Sequence, residues 1–185
     1  MGYFKNIPGL SEMEKSGQWD EARESLYMLW VSNKDDSDLA IRLATECWYV
    51  LAEWEFIENE CLNYQAFANS LKEVARYGLI HFYDDSKFLT IFGYMISMFP
   101  FFFGEDQLYD KLGQRMLSDA KNKNPNDIIT KTLYLGSLPN METFAMHLEE
   151  LFATFDVSIL FNGGTAIEMY FNEVIFNIKN VSKFK

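Results

Sequence analysis

Histidine, cysteine and basic charge are all scarce in this sequence, and each scarcity narrows what the chain can do. Two histidines, His81 and His147, and two cysteines, Cys47 and Cys61, make up the whole supply of imidazole and thiol groups. That is too few for a disulfide scaffold, and without a CxxC spacing nothing points to a zinc site. Both cysteines fall in helix-patterned stretches, where they suit core or near-core positions in a reducing compartment. Lys and Arg number 16 against 27 Asp and Glu, a net charge of −11. Such a balance opposes affinity for nucleic acid, whose phosphates need clustered Lys and Arg, and it favours a basic partner. Negative charge also keeps an apolar chain soluble.

Long apolar runs are missing as well. The longest uncharged stretch, Phe88 to Gly104, is short for a membrane span and is interrupted by Gly93 and Pro100, so it reads as buried interior, with no membrane contact. The opening MGYFKNIPGLSEMEK meets charge and proline at once and carries no secretion signal, so a cytoplasmic location is expected. HExxH, GxxxxGK[ST], GxSxG and GxGxxG are all absent, and Gly163-Gly164 reads as a helix break. No catalytic residue, cofactor or metal is expected, and the chain is read as not an enzyme. Two pairings are weighed against that reading. His147 and Glu150, with Glu142 nearby, have the spacing of half a dinuclear carboxylate site, but a second such pair is missing. Cys61 and His81 have the chemistry of a nucleophile pair, but nothing orients them.

What is present is material for a core. The 185 residues are 49% apolar and 17% aromatic, enough for a single domain over 1–185 that buries about 70% of the surface of its unfolded chain. Helical periodicity dominates. Ala40, Leu43, Ala44, Cys47, Leu51 and Trp54 are spaced by three and four, as are Tyr64, Phe67, Ala68, Leu71, Val74 and Ala75. The same spacing recurs from Met141 to Phe155 and from Ile167 to Ile178, and no run alternates with period two. Ser37 or Asp38, Ser86, Asp127 and Thr165 suit helix N-caps, and Pro139 suits a first turn. The expected helices are 9–16, 18–33, 38–58, 60–78, 87–99, 105–122, 127–137, 139–156 and 165–179. About nine short-linked helices make an all-α, antiparallel stack.

Ser16-Gly17-Gln18-Trp19-Asp20-Glu21-Ala22 resembles the turn and second-helix opening of a tetratricopeptide repeat, and Ala120 through Pro125 to Asp127 resembles the end of that repeat. Leu135-Gly136 is a weaker echo of its first-helix pair. The likeness covers 16–30 and 113–136, while Phe99-Pro100-Phe101-Phe102-Phe103 and the long 38–58 helix depart from a regular register. It implies a degenerate, tetratricopeptide-like α-solenoid, with an irregular helical bundle as the alternative.

Charge patterning singles out one segment. Between Arg42 and Lys72 there is no Lys or Arg, while Glu46, Glu53, Glu55, Glu58 and Glu60 all fall there. Glu46, Glu53 and Glu60 repeat every seven residues, so a continuous helix places them in one stripe, with Trp48, Tyr49 and Phe56 in or beside it. Carboxylates interleaved with rings suit an interface, where the rings give rigid contact area and the charges steer a basic partner. A solvated acidic face with its tryptophans in the core is the plainer alternative. The small, acidic, motif-poor profile is similar to that of immunity proteins that neutralise bacterial toxins, which implies a secreted, basic toxin domain, such as a nuclease, as partner. A peptide-binding adaptor and a carboxylate–histidine metalloenzyme are the alternatives, and the aromatic content also suits self-association.

Overall fold

The computed structural model describes residues 3–58, 61–104, 106–138, 161 and 164–181. Among them the chain is helical and strand-free: α1 Leu10–Lys15, α2 Trp19–Ser32, α3 Ser37–Ala52, α4 Tyr64–His81, α5 Ser86–Met98, α6 Asp106–Lys123, α7 Ile128–Gly136 and α8 Ala166–Val181. A 3-10 turn, Pro100–Phe102, joins α5 to α6. The helix expected over 139–156, with Pro139, lies outside the described residues.

Short polar side chains set the helix starts. Asp36 accepts from Leu39 N at 3.1 Å, Asn63 from Ala66 N at 3.1 Å, Asp85 from Lys87 N at 2.8 Å and Asp127 from Thr130 N at 3.0 Å. Asp36 and Asp85 thus cap where Ser37 or Asp38 and Ser86 were expected, because α3 and α5 begin at Ser37 and Ser86 and leave the preceding aspartates at the N-cap positions. Thr165 and Glu168 form a reciprocal capping box at α8: Glu168 N donates to Thr165 Oγ1 at 3.2 Å, and Thr165 N donates to Glu168 Oε2 at 3.4 Å. The ends follow equally local rules. α5 stops where Pro100 disfavours helical geometry at Phe99. α3 ends at Ala52 and does not reach Glu58, since Glu53, Glu55 and Glu58 would crowd carboxylates onto the negative end of a helix with no basic residue in its last turn.

Consecutive helices are neighbours from α1 to α4 and from α5 to α7, and α5 also packs on α3 and α7. α8 returns to touch α7, α1 and α3. One hydrophobic cluster runs through all of them, from Phe4 and Trp30 through Trp48, Phe67 and Phe92 to Phe171. α5 lies at its centre, with every residue from Phe88 to Ile96 buried, whereas Phe101 in the following turn stays 54% exposed. α5 and α6 meet glycine to glycine. A Cβ on Gly113 would lie 2.5 Å from Ser97 Oγ and 2.7 Å from Ser97 N, and one on Gly93 would lie 3.0 Å from Leu117 N.

A buried ionic cluster ties the two ends of the chain together. Arg42, only 1% exposed, donates from Nη1 to Glu46 Oε2 one turn along α3 at 2.8 Å and from Nη2 to Glu14 Oε1 of α1. The other Glu14 oxygen accepts the amide of Ala166, the first residue of α8, at 2.8 Å. Two carboxylates share one guanidinium, and Glu46 Oε1 has no hydrogen-bond partner among the described residues. Burial therefore pushes the Glu46 carboxyl up from 4.5 to about 7; Arg42 opposes the rise and the Glu14 charge adds to it.

A raised folded-state value means that the Glu46 contribution to stability is full below pH 4.5 and is lost as pH rises through about 7. The stability advantage of the wild type over Glu46→Gln should thus shrink between pH 5 and pH 8, read from urea midpoints across that range. Gly113→Ala should lower unfolding free energy by about 1–3 kcal/mol, because the added methyl meets backbone as well as a side chain; chemical denaturation checks it.

Candidate functional site

The segment singled out by charge begins inside the core and ends in solvent. Glu46 and Trp48 are both 0% exposed, which removes them from the expected partner-binding surface. Glu46 is interior because it stands one helical turn from Arg42. Trp48 is interior because its ring packs on Tyr94, Phe99 and Tyr170, with centroids 5.9, 5.7 and 5.5 Å away. The seven-residue repeat is therefore not a stripe: its first glutamate is buried, the helix ends before Glu53, and Glu60 lies outside the described residues.

Past α3 the chain turns back on itself, with Phe56 N and Ile57 N both donating to Glu53 O, at 2.8 and 3.1 Å. Trp54 anchors this turn to α4 through an edge-on contact with Tyr64 at 5.0 Å. Glu55, Phe56 and Glu58 are exposed, and the Phe56 ring stands 84% in solvent.

Tyr49 and Glu53 are half-buried and meet residues that the sequence does not associate with them. The Tyr49 ring lies between Trp19, at 5.6 Å, and Tyr170 of α8, at 5.8 Å. Burial raises the Tyr49 hydroxyl pKa, and the charges of Glu53 and Glu173 raise it further. Burial also raises that of Tyr170, where the hydrogen bond with Tyr94 opposes the rise and Glu53 adds to it. Carboxylates from the end of α3 and from α8 thus flank a tyrosine pair. Tyr170 and Glu173 also line a cavity of about 570 Å³ bounded by α5, α6, α7 and α8. The hydroxyls of Tyr94 and Tyr170, two of its lining residues, are hydrogen-bonded to each other at 3.0 Å.

The remaining candidates separate. Cys47 is buried, as expected, and burial drives its thiol pKa well above the usual range. Cys61 is exposed, a correction to its near-core placement, since it falls in the link that precedes the Asn63 cap. His81 stacks on Tyr77 at 4.1 Å at the far end of α4, a helix about 27 Å long at 1.5 Å per residue, so Cys61 and His81 form no nucleophile pair. Glu142, His147 and Glu150 lie outside the described residues. Among the described residues no group of three or more His, Cys, Asp and Glu is placed to hold a metal ion, and no helix is long and apolar enough to cross a membrane. Comparisons of the chain with family models, curated proteins and solved structures each find no match.

Sequence reading found Tyr49 and Glu53 but missed Tyr94 and Glu173, and took Tyr170 only as a core position of its helix. The aromatic–acidic signature that marked 46–60 recurs weakly at Tyr170-Phe171-Asn172-Glu173. Tyr170→Phe should cost about 1–3 kcal/mol, because it strands the hydroxyl of Tyr94, a residue only 7% exposed. Tyr94→Phe should cost less, since the Tyr170 hydroxyl it frees belongs to a half-buried residue that water can reach; urea unfolding of the two variants orders them.

Proposed function

We propose that this chain is a non-catalytic, cytoplasmic protein-binding protein whose partner is basic. The observation that carries the reading is the turn after α3, where the phenyl ring of Phe56 is 84% exposed between the exposed carboxylates of Glu55 and Glu58. Holding a large ring in water forgoes about 1.5–3 kcal/mol of burial, which docking against another protein would recover. The net charge of −11 and the absence of Lys and Arg between Arg42 and Lys72 give that edge a field that attracts positive surfaces. In its sharpest form the reading is an immunity protein that covers the basic substrate cleft of a bacterial toxin, with Glu53, Glu55 and Glu58 meeting cleft cations and Phe56 and Tyr49 supplying contact area.

The finer description of the fold belongs to the same proposal: a degenerate, tetratricopeptide-like antiparallel stack. Gly17, at φ +71°, supports the tight turn before α2, and Trp19 and Ala22 are buried behind it, the roles such a repeat assigns them. The return of α8 to α1 is a contact that a nearest-neighbour solenoid lacks, which favours an irregular member.

The test is binding to a purified toxin domain encoded beside this chain. Glu53→Gln, Glu55→Gln and Glu58→Gln together should leave the fold intact, weaken binding about tenfold and flatten its salt dependence, with Glu46 excluded because it is a core residue. Unchanged affinity and salt slope would discard this edge, and a toxin domain that neither binds nor is neutralised would discard the immunity reading.

A further inference from the structure

The cavity between α5, α6, α7 and α8 has a lining that selects a particular chemistry. At about 570 Å³ it is of the size that takes small organic ligands. Met98, Leu117, Leu133 and Val174 make much of its wall apolar. Among the described lining residues Glu173 carries the single formal charge, and none is Lys, Arg or His. The Tyr94 and Tyr170 side chains add aromatic surface to the wall, and their hydroxyls are uncharged at neutral pH. Glu53 adds a second negative charge to the surroundings of Tyr170. A carboxylate beside an apolar, aromatic wall, with no basic group among the described lining residues, suits an ammonium carried on an apolar body.

We propose that this cavity binds a small amphipathic amine, with its ammonium paired with Glu173 and its apolar body against Met98, Leu117, Leu133, Val174 and the tyrosine side chains. The site goes beyond the protein-binding edge and stands whether or not that edge has a partner. It involves no covalent step.

Three indole probes with the same two-carbon side chain and different end groups test it by titration calorimetry on the whole chain: tryptamine, which is cationic; tryptophol, which is neutral; and indolepropionate, which is anionic. Tryptamine should bind with one site per chain, tryptophol about tenfold more weakly, and indolepropionate not measurably, the gap being that of one charge-assisted contact. Glu173→Gln, at an exposed position, should bring tryptamine down to the affinity of tryptophol. Val174→Trp should fill the cavity and abolish both. Absence of tryptamine binding, equal affinity for the three probes, or a cationic preference that survives Glu173→Gln would each overturn the proposal, and the last does so even if Val174→Trp fails to fold.

Discussion

One guanidinium, buried between two carboxylates, holds the two ends of this chain in register. Arg42 reaches Glu46 in its own helix and Glu14 in α1, and Glu14 in turn takes the first amide of α8. Removing Arg42 from such a cluster costs about 3–5 kcal/mol, because carboxylates are then left buried without a counter-charge. Replacing the whole cluster by apolar residues would cost far less, so its contribution is geometric more than energetic. Hydrogen bonds admit one arrangement where greasy contact admits several. That arrangement sets where α8 begins, and the start of α8 decides that Tyr170 lies on Tyr49 and Trp48.

The second constraint is close approach. Gly93 and Gly113 let α5 and α6 touch backbone to backbone, which places α5 at the centre of the core. α7 and α8 also border α5, and among the four helices lies the cavity that Tyr94 and Tyr170 line. The close contact and the cavity adjoin, since Ser97 and Leu117 belong to both.

Acidic charge serves opposite ends in neighbouring turns. At Glu46 a carboxylate is retained in the interior with a pKa lifted to about 7, where it completes the pairing of Arg42. A few residues later Glu53, Glu55 and Glu58 help end the helix and give its turn a negative edge around Phe56. The proposed recognition surface is thus a by-product of helix termination: carboxylates that disfavour further helix at the negative end of a dipole are left facing solvent.

Local rules carried the sequence a long way. The helical class, the burial of Phe88 through Ile96, the caps at Asp127 and Thr165 and the approximate limits of most helices were legible, because periodicity and capping act over only a few residues. The end of α3 was misjudged because apolar spacing through Trp54 outweighed the carboxylate count at its C-terminus. What only the tertiary structure decided is which of several similar glutamates is interior. Glu46 and Glu58 look alike in one dimension, and they part because Glu46 alone falls one turn from an arginine that a distant helix also needs. Likewise nothing local joins Tyr49 to Tyr170 or Glu53 to Glu173. Their meeting depends on the return of α8 across the bundle, an event of chain topology that periodicity along the sequence cannot encode.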